Sequence, residues 1–573
     1  MNAEVVQRAP VYTHPRLEVG NGVCTSGHPE SAKAAIRIML QGGNAFDALV
    51  ASAFTTFVVE PESCGLGGYG HFSAYVAKTR EFLSIDAYCR APLKAHARMF
   101  EIDLSRPASY YGHPLTKGDI GLVGWLAIAV PGAVVGLCDL HAMLGRMALD
   151  KVMEPAIEAA ENGVSVTFKH QLEIAQAMDD IKRYPHTAAA LLVDGKLPSM
   201  QGREGEGDRL DTAALARLLK KIAKRGKKAF QEGAIARRIG QFITGNGGIL
   251  SAEDLAAYKP RVLREQPCQY RGYDYISCFD QVAYETLNIL SHYRLRKYGA
   301  DSFEYRHLTA EALALAFVDS MTHYGDPDFE ASPVNGLTHR AFAKSRQRLI
   351  RLSKALPRPL STGDPWPFES HHLSPQRVVD LPTTAQRAGT SQVAVADGEG
   401  NLASACVSIG SSYGSLIYVP DAGIFMNNAM QNFDPRPEHP SHIEPGKMPI
   451  FAAPAIVAAK NGEGCFAASG SGGYRIEPGV LQTMMNYIDH RMRVQRAVDH
   501  PRVHSQGGPT FVDSRITRGI LDRMQRIGHD LRVLREQPGA NGFGRISAVS
   551  RNPRTKVLSA GAGPAWDTGV AGY

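Results

Sequence analysis

The junction at residues 389 and 390 is the most restrictive stretch of this sequence. From Thr390 the residues alternate through TSQVAVAD, pass a GEGN turn and alternate again through LASACVS. Period-two patterning on both sides of a Gly-containing turn predicts a β-hairpin. A turn centred on Glu399 sets Thr390 directly opposite Ser408, and opposed side chains on a ladder lie about 5 Å apart, close enough to hydrogen-bond. Just before the hairpin, residues 356–389 carry Pro357, Pro359, Pro365, Pro367, Pro375 and Pro382 among many polar residues. That composition predicts an exposed, extended segment, and it ends at Ala388-Gly389.

A Thr–Ser pair across a ladder is an ordinary structural contact. The segment in front of it supplies a second reading. Gly389 lets the backbone bend into a strained approach, and a Thr hydroxyl placed there can attack the Gly389 carbonyl, shift the chain to an ester and lose it to water. The α-amino group so freed has an ordinary pKa of about 7.7–8.0 and can serve as the base for its own hydroxyl. The chemistry also needs donors for a developing oxyanion. ASGSGGYRIEPGVLQTMMNYI offers Gly470, Gly472 and Gly473 ahead of a helical run starting near Ile476, and backbone N–H groups at a helix start suit negative charge.

The rest of the chain frames this hairpin. Apolar spacing predicts a helix from about Pro29 to Gln41, stopped at Gly42-Gly43, and a second one capped by Asn44. A Gly-rich turn (Ser63 to Gly70) leads to a strand-like HFSAYVA. Residues 140 to 355 read as mostly helical, and strands and helices follow Thr390, interrupted by a Pro-rich loop from Asp434 to Pro449.

Composition narrows the function classes. Net charge is +7 over 573 residues, with 44% hydrophobic and 21% charged content. The densest basic stretch, KKIAKRGKK at 220–228, reads as a solvated helix face, which disfavours nucleic acid as a partner. The eight cysteines are scattered without a CxxC and read as reduced thiols in a cytosolic protein. The N-terminus shows no apolar h-region, and the apolar run from Ile120 to Cys138 is broken by Pro131-Gly132, so the expectation is a cytoplasmic protein without a membrane partner. Gly65 to Gly70 fits GxGxxG, but helix–turn–strand is the reverse of the dinucleotide context. His439/His442 and His500/His504 have ligand-like spacing without acidic or Cys partners, so neither metal nor cofactor is expected. Cys64 and Cys406 sit among small apolar residues and read as core packing.

The motifs, in order, resemble the γ-glutamyltransferase family: GGNAFDALVASAFTTFVVEPESCGLGG (42–68), VPGAVVGL (130–137), EPAIEAAENGVSV (154–166), GGILSAEDLAAYKP (247–260), AEALALAFVDSMTHYGDP (310–327), GTSQVAVADGEGNLASACVS (389–408), GIFMNNAMQNF (423–433) and SGSGGYRI (469–476). The resemblance covers most of the chain. It implies an α/β (α+β) fold, the four-layer αββα sandwich of N-terminal-nucleophile hydrolases. It implies autocleavage into a larger 1–389 piece and a smaller 390–573 piece that stay together as a heterodimer. Thr390 takes the place of the nucleophile, Ser408 that of its hydroxyl partner, and Gly472 and Gly473 those of the oxyanion glycines.

Departures from the family cluster at the substrate head. Tyr88 stands where the family has an Arg, with Arg90 shifted by two. Gly410 replaces an Asn and Asn432 an acidic residue. Phe451, Ala452 and Ala453 replace the stretch bearing paired serines, and Gln392 stands where a His is usual. The short loop from Asn432 to Pro449 suggests that the lid of some members is missing. A buried zwitterionic head needs charged partners, so these changes predict a small-molecule amide substrate other than ordinary γ-glutamyl compounds. The candidate substrate-binding residues are Tyr88, Arg90, Gly410, Asn428, Asn432 and Tyr474. Two readings compete with this one: a genuine γ-glutamyl hydrolase or transpeptidase whose head contacts come from Arg90, Asn428, Asn432 and Arg475, and a binding scaffold without catalysis. Hydrolysis against transfer, and assembly beyond the heterodimer, stay open.

Overall fold

The computed structural model describes residues 17–107, 109, 112–200, 205–369, 389–450, 453–536, 542–563 and 568–573. Two seven-stranded sheets stack face to face. The first runs, edge to edge, Gly569–Gly572, Gly22–Ser26, Gly389–Asp397, Leu402–Gly410, Tyr69–Val76, Glu81–Ala87 and Arg261–Glu265. The second runs Leu17–Val19, Leu558–Ala562, Arg545–Arg551, Glu463–Ser471, Ala455–Lys460, Tyr273–Ser277 and Cys268–Tyr270. Neighbouring strands in both are antiparallel.

Alternation along the hairpin builds the layers. Val393 and Val395 face a core shared with the helices Pro29–Leu40 and Ala45–Val59, whereas Ala394 and Ala396 face the second sheet. The core between the sheets is rich in small residues, among them Ala394, Ala459, Ala467 and Val549, with Tyr75, Phe82, Ile276, Leu402 and Leu558 filling the rest. Beyond the second sheet, helices Gln281–Ser291, Phe303–His323 and Ile476–Ile488 close a third apolar layer. The order is therefore helix, sheet, sheet, helix, the αββα arrangement anticipated from the resemblance.

Local chemistry explains the element ends. Asn44 caps Ala45–Val59 with its side chain accepting from the N–H groups of Phe46 and Asp47, while Asp47 reaches back to the Asn44 N–H, a reciprocal capping box. Asp397 at the hairpin end accepts from the Ala45 N–H at 2.9 Å. Most of the basic stretch lies on Ala213–Arg225, with Lys220, Lys221 and Lys224 exposed, as expected of a solvated face.

The block 140–355 is mostly helical, as expected, and also carries strands the sequence reading did not single out: Arg261–Glu265, Cys268–Tyr270 and Tyr273–Ser277, of which the first two form sheet edges. RVLRE shows no apolar alternation because as an edge strand it is largely exposed, and charged side chains such as Arg264 are how edges are kept from pairing with other chains. Most of the predicted extended segment, 370–388, lies outside the described residues. Among the described residues no helix is long and apolar enough to cross a membrane.

Candidate active site

Thr390 pairs with Ser408 across the ladder, with a bulge between Gly389 and Thr390 that brings Gly389 opposite Gly410. Both side chains point between the sheets and are buried. Thr390 Oγ1 lies 3.0 Å from Ser408 Oγ. Ser408 Oγ donates to the Gly389 carbonyl at 2.6 Å and accepts from the Gly410 N–H at 3.0 Å. A hydroxyl has one proton to give. With the Ser408 proton on Gly389 O, the Thr390 hydroxyl donates to Ser408. The result is a chain of hydrogen bonds from the threonine hydroxyl to the carbonyl of the bond before it. Tyr69, opposite Ser408 on the other neighbouring strand, shares a hydrogen bond with it; burial pushes the Tyr69 hydroxyl up and that bond draws it partly back.

The strand is anchored by a buried charge network. Arg545, in the facing sheet, donates to the Thr390 carbonyl at 3.3 Å, to Ser471 Oγ at 3.1 Å, to the Gly27 carbonyl at 3.2 Å and to Glu60 at 3.0 Å. Glu60 accepts from Ser391 Oγ at 2.5 Å and from Lys169 at 2.9 Å. Lys169 also pairs with Glu62 at 2.6 Å, and His170 reaches Glu62 at 3.1 Å. Burial alone would raise Glu60, but Arg545 and Lys169 outweigh it and hold the carboxyl at about 2. Glu62 is likewise held low by Lys169 and His170 against its burial. Glu60 and Glu62 are thus balanced by Arg545 and Lys169 in a largely buried network, where leaving either sign unpaired is costly.

The glycine turn leaves the end of Glu463–Ser471. Gly472 has φ +130° and Gly473 φ +60°, backbone that favours glycine, and a short 3₁₀ turn carries the chain into Ile476–Ile488. Ser471, at the head of this turn, shares Arg545 with the Thr390 carbonyl. One guanidinium therefore fixes the predicted oxyanion turn against the predicted nucleophile.

The predicted substrate-binding residues divide. Gly410 has φ +98°, and a Cβ there would lie 1.9 Å from Asn428 Oδ1, so the position admits no side chain. Asn428 Oδ1 accepts from Ser411 N and Gln431 Nε2, and its amide donates to Leu122 O and Ser411 Oγ. Asn432 donates to the Tyr88 hydroxyl, and the Tyr88 ring packs 4.3 Å from Tyr69, one residue away from Ser408. Arg90 is not brought to Thr390: its guanidinium is engaged by the carbonyls of Gly446 and Lys259. Tyr474 sits in the core under the second sheet, its ring 5.6 Å from Phe317. Ala453 is buried and apolar; Phe451 and Ala452 lie outside the described residues.

Residues 31–573 match the family model for gamma-glutamyltranspeptidase. The chain belongs to the gamma-glutamyltranspeptidase family. It is 34% identical over 581 residues to an acylase ACY 1 proenzyme of Pseudomonas sp. (strain SE83), covering 100% of this chain and 98% of that protein. It is 29% identical over 523 residues to a glutathione hydrolase proenzyme of Bacillus subtilis (strain 168), covering 90% and 86%. The crystal structure of cephalosporin acylase from Bacillus halodurans superposes with a TM-score of 0.83 at 27% identity, covering 100% of this chain and 99% of that one. This gamma-glutamyltranspeptidase-family chain is accordingly an N-terminal-nucleophile hydrolase, an enzyme of amide bonds.

The sequence reading of this family member missed the network behind the nucleophile. Glu60 and Glu62 stand inside a quoted motif, yet nothing local says that they are buried. Lys169-His170 and Arg545 belong to no quoted motif. The available signal was an Arg at an inward-facing position of the strand RISAVSR, flanked by alternating apolar residues. The eight cysteines are free thiols, and burial pushes Cys64 and Cys406 up, away from the reactive thiolate. Among the described residues two side-chain groups come close enough to share an ion, His307/Glu311/His529 and Glu330/His442/Glu444. In the first the two imidazoles hydrogen-bond each other at 2.8 Å and Arg358 pairs with Glu311; in the second the Lys447 ammonium lies against Glu330 and His442.

Proposed function

We propose that this chain is an autoprocessing amidohydrolase in which Thr390, freed by a cut after Gly389, attacks a small-molecule amide through an acyl-enzyme. The observation that carries the reading is the hydrogen-bond chain Thr390–Ser408–Gly389 carbonyl. In the uncut chain, Thr390 Oγ1 adds to the Gly389 carbonyl carbon and passes its proton to Ser408, which polarises the carbonyl oxygen. The Thr390 nitrogen takes a proton and leaves, giving an ester between Gly389 and Thr390 Oγ1. Water cleaves the ester into a Gly389 carboxylate and a free Thr390.

In turnover the new α-amine accepts the hydroxyl proton as Oγ1 adds to the substrate carbonyl. The N–H groups of Gly472 and Gly473 hold the oxyanion, and the substrate amine departs with the proton. Water then releases the acid from the acyl ester; an amine in its place would make the reaction a transfer. The two pieces, 1–389 and 390–573, stay together as a heterodimer.

The specificity reading is a shift away from γ-glutamyl substrates. Gly410 offers no side chain, Asn432 is paired with Tyr88, and Arg90 is held by carbonyls, so little remains to bind a charged amino-acid head. The identity to acylase relatives supports the same reading. A denaturing gel tests the processing: two bands split at 389/390 in the wild type and one band in Thr390→Ala are expected, and cleavage that persists in the variant would remove Thr390 as nucleophile. Strong turnover of γ-glutamyl-p-nitroanilide would contradict the specificity reading.

A further inference from the structure

Arg545 belongs to both sides of the proposed site. Its backbone stands opposite Ser471 on the ladder between Glu463–Ser471 and Arg545–Arg551, the register that leads into the Gly472–Gly473 turn. The residue before it packs against that turn: a Cβ on Gly472 would lie 2.9 Å from Gly544 Cα. The Arg545 side chain crosses to the other sheet, where Nη2 donates to the Thr390 carbonyl at 3.3 Å. One residue therefore sets the span from the turn to Thr390, with its backbone at one end and its guanidinium at the other. Burial and pairing stiffen the link. Arg545 and Glu60 are both buried. Nη1 donates to the Gly27 carbonyl at 3.2 Å and to Glu60 Oε1 at 3.0 Å, and Nε donates to Ser471 Oγ at 3.1 Å.

This hold falls where the sheet gives Thr390 least support. Strand Gly22–Ser26 pairs with Gly389–Asp397 only from Val393 to Asp397, and the Gly27 N–H adds one bond to the Gln392 carbonyl at 3.1 Å. Among the described residues no strand adjoins Thr390 on that side. Two carbonyls cannot bond each other, so a guanidinium that takes both Gly27 O and Thr390 O does there what the next rung of the ladder would do. In the uncut chain Thr390 is also held through its peptide bond to Gly389. That residue stands opposite Gly410 and is tightly packed: a Cβ on it would lie 2.5 Å from Ser411 O and 2.8 Å from Glu62 O. A cut would remove this tether and make Thr390 a chain end, and chain ends fray unless tied down. The side-chain ties then left to Thr390 are Ser408 Oγ and the Arg545 guanidinium.

We propose that Arg545 is a positioning residue for turnover: it holds the freed Thr390 at the distance from the Gly472–Gly473 turn that attack requires, and its hold counts for more after the cut than during it. The assignment rests on Thr390 being the nucleophile. Misplacing a reacting group by about 1 Å can cost about 10²-fold in rate. The loss should appear in kcat with KM nearly unchanged, because the guanidinium spends its hydrogen bonds on protein atoms behind Thr390.

Arg545→Lys discriminates. It keeps the charge that balances Glu60 but lacks the planar fork that reaches Thr390 O, Ser471 Oγ and Glu60 at once. The probe is p-nitrophenyl acetate, whose small acetyl group asks little of a specificity pocket. Release of p-nitrophenolate by the cleaved protein is corrected for release by the uncut Thr390→Ala chain. The expected result is a kcat about 10²-fold below the parent and a KM within about threefold, while the half-time of autocleavage lengthens less than about tenfold. The charge-matched pair Glu60→Gln/Arg545→Gln should repeat this pattern, and it carries the test if the Lys variant does not fold. A folded variant with a kcat within about threefold of the parent, a loss confined to KM, or an autocleavage slowed as much as kcat overturns the positioning role and leaves the Thr390 reading standing. A cleaved parent that releases no more p-nitrophenolate than Thr390→Ala overturns both.

Discussion

Glu60→Gln isolates the electrostatic part of the network behind Thr390. The substitution keeps the shape and a hydrogen-bond acceptor for Ser391 but removes the charge shared by Arg545 and Lys169. The carboxyl is held at about 2 in the folded chain against an ordinary 4.5. At about 1.36 kcal/mol per unit this difference stabilises the fold by about 3 kcal/mol at pH 7. The sign follows from the depressed value: the contribution is fully present above about pH 4.5 and is lost as pH falls towards 2. It should be about half as large near pH 3. The figure agrees with the roughly 3–5 kcal/mol expected for breaking a buried ion pair. Urea unfolding, in a Thr390→Ala background so that every molecule is one uncut chain, measures it. The variant should fall about 3 kcal/mol below its parent at pH 7, and the gap should close with acidification. A gap below about 1 kcal/mol, or one that does not change between pH 7 and pH 3, would refute the electrostatic account.

Ser408→Ala removes the donor to the Gly389 carbonyl, and the loss of a single oxyanion-type donor costs about 10²–10³ in rate; the half-time of autocleavage should lengthen accordingly, and a change within twofold would mean that Ser408 is structural only. Gly410→Ala forces a Cβ to within 1.9 Å of Asn428 Oδ1 at φ +98°, so a drop in thermal midpoint and a slower cut are expected; an unaltered melting curve would show that the Asn428 cluster can shift freely. With the neutral α-amine of Thr390 as base, as proposed, kcat/KM should rise with pH and level off above its pKa, near 8 for an ordinary α-amine. A flat profile between pH 6 and pH 9 would argue for a different base.

The hairpin was readable from sequence because period-two alternation and a short polar turn leave one register, and Thr390 and Ser408 fall opposite each other in it. Asn44 and its helix were readable because capping is local. Arg261–Glu265 was not, since an exposed edge strand carries none of the apolar signal that a buried one does. Glu60, Lys169 and Arg545 were not readable as a set. They come from a helix end, another helix and a strand of the facing sheet, and only the closed fold brings Lys169 and Arg545 to 2.9 and 3.0 Å from Glu60.

The strand order of the first sheet has a consequence for the life of the molecule after a cut. Gly569–Gly572, Leu402–Gly410 and all of Gly389–Asp397 but its first residue lie downstream of residue 389, yet Gly22–Ser26 is inserted between Gly569–Gly572 and Gly389–Asp397 and Tyr69–Val76 flanks Leu402–Gly410. The two products would be woven through one hydrogen-bonded surface, and neither could complete it alone. Before the cut, folding is a first-order event of a single chain. Afterwards, recovery from denaturation requires two different polypeptides to meet, and its yield would depend on protein concentration. One hydrolysed peptide bond would turn a chain that can refold into an assembly that, once dispersed, is slow to return.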